Sequence, residues 1–216
     1  MMMHKRMLGI LIAVFSVAPV VASAAPAAHS MVPFAAGFAL GTRQDVFVDP
    51  QMFVAAPGRA GGPGLQSIVA SAGYRNALMD DDPDAQACNA QGKALGFTLG
   101  QWFGARGTVN FDAAESKPRI ATAFAGLIPG GVYSLFTVTF AADGSNTWAP
   151  LDGTGTANTF TADAQGHGGI LVTAPAPLTH DNAIMLVYHS DRTAHGMDRG
   201  APGVTAHSQL IYRVAR

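Results

Sequence analysis

The chain reads as an all-β protein, an antiparallel β-sandwich of about eight strands preceded by an irregular N-terminal extension, and two observations carry that reading. From Gly96 onward, short runs rich in Phe, Val, Thr, Ile and Tyr are separated by Gly, Pro, Asn or Asp at roughly ten-residue intervals, the rhythm of strands and turns in antiparallel sheets. Near the C-terminus, Ala183 to His189 is apolar at almost every position while the following run, 204–214, alternates. A strand buried on both faces beside one buried on a single face gives that contrast.

The elements follow in order. His4, Lys5 and Arg6 give a basic start, Leu8 to Val21 is almost wholly apolar, and Ala22-Ser23-Ala24 supplies small residues for cleavage, the three parts of a secretory signal over 1–24. The apolar run is shorter than the roughly 20 residues that span a bilayer, so stable membrane insertion is not expected and the mature chain is expected in the periplasm or outside the cell. Removing the first 24 of 216 residues takes away two basic and no acidic residues, leaving a net charge of −3. Without a Lys/Arg-rich run, that charge argues against nucleic acid as a partner and leaves a protein, a glycan or a small ligand.

Residues 25–64 are rich in Ala, Pro and Gly and read as a flexible or extended segment ending in a Gly/Pro linker at 57–64. Within it Asp45 to Asp49 suggests a short strand that Pro50 ends. The sandwich domain is expected over 65–216. Gln66 to Leu78 suggests a short helix, and Asp80, Asp81, Asp82 and Asp84 sit in a proline-broken turn lacking the alternating order of a calcium loop. Strands are expected near 96–103, 105–111, 118–125, 131–140, 157–162, 168–173, 183–189 and 204–214. Thr159 to Ile170 reads as a hairpin turning at Gly166. Cys88 is the one cysteine, so no internal disulfide framework exists; it reads as a small semi-buried residue rather than the link of a disulfide dimer.

The spacing Leu127-x-Pro129-Gly130-x-x-Tyr133 resembles the loop entering the sixth strand of fibronectin type III and other immunoglobulin-like domains. The resemblance implies an immunoglobulin-like sandwich in which the Tyr133 hydroxyl bonds back to the chain upstream. About 75 residues follow Val138, more than such a domain needs, so extra strands and a different topology are expected. The text around Val187 to Asp191 and Thr193 to Gly196 is similar to secreted bacterial proteins without an assigned activity.

Five of the seven histidines fall in the last fifty residues, at His167, His180, His189, His195 and His207. His167 and His180 belong to turns. If 183–189 and 204–214 pair as antiparallel neighbours, opposing His189 to His207 sets Val187 against Gln209 and Met185 against Ile211. It also places Ile184, Leu186 and Tyr188 with Ser208, Leu210 and Tyr212 on the main core face; a slip of one residue would put His207 into that core. Directly opposed Cβ atoms stand roughly 4.5–5.5 Å apart, close enough for two imidazoles to share an ion. With Asp191 and His195 on the connecting loop, the set His189, Asp191, His195 and His207 offers three nitrogens and a carboxylate, donors that suit zinc or copper(II). No catalytic motif is present: a Ser190-His189-Asp191 arrangement fails because neighbours on a strand point to opposite faces. The sequence therefore favours an exported binding or surface-interaction module without catalysis. A copper or zinc protein using the C-terminal histidines is the first alternative, and a carbohydrate module using Trp102, Phe103 or Trp148 the second.

Overall fold

A strand that is apolar on both faces needs a packed layer on each side, and both layers are present. The computed structural model describes residues 28–215; the export-type segment 1–24 lies outside them. In chain order the strands are β1 (His29–Ser30), β2 (Val32–Pro33), β3 (Val48–Ala55), β4 (Gly62–Pro63), β5 (Val69–Ala70), β6 (Tyr74–Leu78), β7 (Gln86–Cys88), β8 (Ala94–Thr98), β9 (Arg106–Asn110), β10 (Arg119–Ala125), β11 (Val132–Phe140), β12 (Asn146–Pro150), β13 (Thr159–Thr161), β14 (Leu171–Thr173), β15 (Asn182–His189) and β16 (Ala206–Arg213), with helices α1 (Phe34–Thr42) and α2 (Leu99–Phe103). Strands far outweigh helix, and the pairings within the sheets are antiparallel, the all-β sandwich-like architecture expected from the sequence. No helix among the described residues is long and apolar enough to cross a membrane.

The main sheet has the order β12-β11-β15-β16-β2, with β13 on β11, and faces a second sheet of order β1-β9-β10-β14. Between them Val109, Ile120, Phe124 and Val172 pack with Tyr133, Leu135, Ile184, Leu186, Tyr188 and Leu210. On the opposite face of the main sheet, Phe136, Val138, Met185, Val187 and Ile211 pack with Phe34 of α1. Every residue of β15 is buried, as a central strand covered on both faces requires. The Tyr133 hydroxyl accepts the Ile128 N–H at 2.8 Å, closing the turn five residues upstream and keeping the buried phenol satisfied.

Several elements differ from expectation for identifiable reasons. Residues 28–64 hold α1 and β3, and β3 is buried along most of its length in a further sheet of order β6-β3-β7-β8. Pro50 does not end β3, because it falls in a register shift between Val48 and Phe53 where no ladder donor is needed. There the Asp49 carboxylate accepts the Gln51 and Met52 N–H groups at 2.8 and 3.0 Å in place of a neighbouring strand. The helix expected over 66–78 is replaced by one 3-10 turn at Leu65–Ser67 and two strands, with Gly73 breaking the run at φ 82°. The strand expected over 96–103 gives way at Leu99 to α2, whose start is a capping box: the Thr98 hydroxyl accepts the Gln101 N–H and the Gln101 side chain accepts the Thr98 N–H. Gly166 turns with positive φ as expected, yet the strands on either side do not form a hairpin; β13 joins β11 while β14 joins β10, so this turn carries the chain from one sheet to the other.

Candidate metal centre

The site is decided by one extra residue in β16. Ile184, Met185 and Leu186 oppose Tyr212, Ile211 and Leu210 as the sequence pattern requires, but a bulge after Leu186 leaves Gln209 unpaired, so that Val187 opposes Ser208, Tyr188 opposes His207 and His189 opposes Ala206. His189 and His207 are therefore not a cross-strand pair. They lie on opposite faces of the sheet, and His207 leaves the proposed ligand set. The bulge is held by groups distant in sequence: the Gln51 side-chain oxygen accepts the Ser208 N–H at 2.7 Å, and the Gln209 amide donates to the Trp102 carbonyl at 2.8 Å.

His207 sits in the main core against Trp102 and Tyr188 with both ring nitrogens engaged. Nδ1–H donates to the Gln51 carbonyl at 2.9 Å, and Nε2 lies 3.1 Å from the Ser190 hydroxyl, which also has the Val204 carbonyl at 3.1 Å. Burial depresses its pKa to about 4 against the opposing pull of the Gln51 and Val204 carbonyls and of Asp191, so the imidazole is neutral near pH 7. Nearby, Asp49 accepts the Trp102 indole N–H at 2.9 Å, and burial raises its pKa to about 6. Trp102 is thus a core residue and Phe103 packs against the same core, so neither offers a sugar platform.

His189 is in a different situation. It is fully buried, its Nε2 lies 2.8 Å from the Ser134 hydroxyl, and its Nδ1 has no partner among the described residues. The direction of the proton is readable from the chain of groups behind Ser134. The Asn158 amide nitrogen donates to the Leu135 carbonyl, so the Asn158 side-chain oxygen faces the Thr159 hydroxyl at 3.3 Å. Thr159 donates there and accepts from Ser134 at 2.8 Å, so Ser134 in turn accepts from His189. Nε2 carries the hydrogen and Nδ1 presents a bare lone pair. Burial, followed by the His195 ring, depresses the His189 pKa to about 4, so that lone pair stays available near pH 7.

The loop after β15 brings two further candidate ligands close to the His189 ring. The Arg192 N–H returns to the His189 carbonyl at 3.1 Å, with Arg192 at φ 59°, and this tight turn places Asp191 beside the strand end. His195 follows four residues after Asp191; its Nε2 lies 3.0 Å from the Asp191 carboxylate and its ring centroid 5.1 Å from that of His189. One ligand atom from each of His189, Asp191 and His195 lies within 4.8 Å of the others. A second loop braces this one. The Asp152 carboxylate accepts the N–H groups of Thr154, Gly155, Thr156 and Ala157 at 2.8–3.2 Å, which holds it well below the usual carboxylate range. Gly155 of that turn meets Gly196 so closely that a Cβ would stand 2.3 Å from the Gly196 carbonyl carbon. The two remaining C-terminal histidines stay outside the cluster, His167 beside Asp163 and His180 beside Asp181 on exposed turns.

Other sequence candidates resolve as structure. Asp81 is paired with Arg75 at 2.8 Å and accepts the Leu78 N–H, and Asp82 accepts the Asp84 N–H, which uses the acidic run as turn chemistry. Cys88 is buried beside Phe53, Ile68 and Ala90. Ser190 contacts His207 rather than His189, as strand alternation demands. Compared with protein-family models, with curated proteins and with solved structures, the chain matches none. The functional reading therefore rests on the site itself.

Proposed function

We propose that this chain is an exported binding module whose ligand is a single divalent transition-metal ion, zinc or copper(II), held by His189, Asp191 and His195. The observation that carries the reading is the Nδ1 atom of His189, fully buried and without a hydrogen-bond partner among the described residues, on a ring that is grouped with a second imidazole and a carboxylate. An unsatisfied buried acceptor costs about 1–3 kcal/mol, and a metal ion is the partner that all three groups would accept in common. Two nitrogens and one oxygen suit either ion. The hydroxyl chain behind His189 supports the same reading, since a histidine ligand ordinarily donates its other ring N–H to a fixed acceptor. Export is supported by the basic, apolar and small-residue parts of segment 1–24.

The test is metal titration of the purified mature chain by calorimetry, with metal content measured after dialysis. One ion per chain is expected, with saturable binding lost in His189→Ala and retained in His207→Leu. A folded protein that binds neither ion at micromolar concentration, or whose binding survives His189→Ala, refutes the proposal.

A further inference from the structure

The outer face of the main sheet bears a second feature that the metal centre does not use. Between that face and α1 lies a cavity of about 600 Å³, within the range typical of small-molecule sites. Its apolar lining includes Phe38 of α1 and Met185 and Ile211 of the sheet. Trp148 and Phe140 also line it, and each carries a guanidinium over its ring: Arg199 Cζ lies 3.9 Å from the Trp148 centroid and Arg213 Cζ lies 4.1 Å from the Phe140 centroid. No aspartate or glutamate is among the lining residues.

What sets these two arginines apart is their seat over an aromatic ring at the cavity wall. Among the described residues neither forms an ion pair within 4.0 Å or a hydrogen bond. Stacking engages the face of a guanidinium and leaves its in-plane N–H groups free, the geometry that grips a carboxylate by two parallel bonds. Arg199 is also half-buried, and that burial lowers its pKa despite the neighbouring Asp198, so the positive charge is held in place at a cost that an incoming anion would offset.

We infer that this cavity binds a hydrophobic monocarboxylate, a small molecule whose apolar body lies against Phe38, Met185 and Ile211 and whose carboxylate is held by Arg199 and Arg213. Charge complementarity selects the head group, since the cavity offers two cations and no competing acid. The apolar lining selects the body. This site stands apart from the metal reading: it shares the 190–205 loop with Asp191 and His195 but none of their side chains.

Calorimetric titration of the mature chain with 2-naphthoate, in the presence of a chelator, tests it. Saturable one-to-one binding is expected, weakened about tenfold or more in Arg199→Gln and equally weak for the neutral 2-naphthamide, because charge-assisted bonds carry the head-group recognition. Gly41→Phe provides a second variant: a Cβ at Gly41 meets nothing within 4 Å, so the ring has room to enter the cavity and block it without disturbing α1. Circular dichroism confirms that each variant is folded. Equal affinity for acid and amide, no saturation at millimolar naphthoate, or unchanged binding in Arg199→Gln overturns the inference. So does a dimer by light scattering that dissociates in Gly41→Phe, which would assign the face to a second copy of the chain. Because metal is absent throughout, the outcome is independent of whether His189 binds an ion.

Discussion

His189 and His207 stand on neighbouring strands near the same sheet end, both fully buried and both held neutral, yet they have been given opposite tasks. His207 faces the main core with a partner for each ring nitrogen. His189 faces the other way with one nitrogen tied to Ser134 and the other bare. The difference is made by Gln209 alone, since without the bulge the two rings would share a face. Burial and a depressed pKa are common to both histidines; what separates them is the ring nitrogen of His189 that has no partner among the described residues.

The broadest test of what the two share is acid. Each imidazole has a folded pKa of about 4 against roughly 6.5 in the unfolded chain. Between those values the unfolded chain takes up protons that the folded chain refuses, so stability is complete above pH 6.5, falls toward pH 4 and levels off below it. Each histidine accounts for about 3 kcal/mol of that loss. Asp49 works in the opposite sense: with a folded pKa of about 6 it retains its proton longer than the unfolded chain, stabilising the fold at low pH and ceasing to do so as pH rises through 6. The net expectation for metal-free protein is a loss of about 3 kcal/mol between pH 6.5 and 4, deepening by about 3 kcal/mol in Asp49→Asn. Urea unfolding across that range measures both, and a flat profile in wild type would show that the histidines are not held neutral.

The second test separates the two histidines. His207→Leu leaves the Gln51 carbonyl without its imidazole donor, while the Ser190 hydroxyl keeps the Val204 carbonyl, and it removes a ring packed on Trp102, which together cost about 3 kcal/mol. Zinc stoichiometry should not change. A His207→Leu protein that loses metal binding while remaining folded would mean that the two faces of the sheet communicate after all.

How much of this contrast was legible in the sequence depends on the range of the interactions that set it. The apolar run of β15 announced a doubly buried strand, and alternation in β16 fixed the pairing correctly as far as Leu186 with Leu210. The bulge was not legible, because what makes it tolerable is the Gln51 side chain bonding to Ser208 across 157 residues. The same applies to Ser134, which no motif ties to His189; only the strand register of β11 against β15 brings it there. By contrast, the Thr98-x-x-Gln101 capping signal was present in the text and would have ended the strand at Thr98. Asp191 and His195, four residues apart, were found because a short loop leaves few ways to separate them.

Smaller effects probe the hydroxyl chain that makes His189 differ from His207. Ser134→Ala removes the acceptor of the Nε2 proton, leaving a buried N–H unpaired and the ring free to change tautomer. Loss of such a supporting bond typically weakens metal binding about 10- to 100-fold, and competition against a chromophoric chelator should find that range here. An unchanged affinity would detach the Ser134 contact from the site.

Thr159→Val acts one step further out and yields the smallest change. Valine keeps the shape of the side chain but withdraws the oxygen that accepts the Ser134 hydrogen at 2.8 Å. Ser134 then has one remaining acceptor in reach, His189 Nε2, and donating to it forces the imidazole proton onto Nδ1, where the lone pair for the metal had been. Binding must now return that proton to Nε2, a tautomer change that releases no net proton, so affinity should fall by about tenfold or less, by the same factor at every pH where the ring is neutral. Nitrogen chemical shifts of the metal-free protein read the tautomer directly: wild type should show an unprotonated Nδ1 at His189, and Thr159→Val an unprotonated Nε2. If both proteins show the same tautomer, the proton order along Asn158, Thr159 and Ser134 does not control His189, and the bare nitrogen needs another cause.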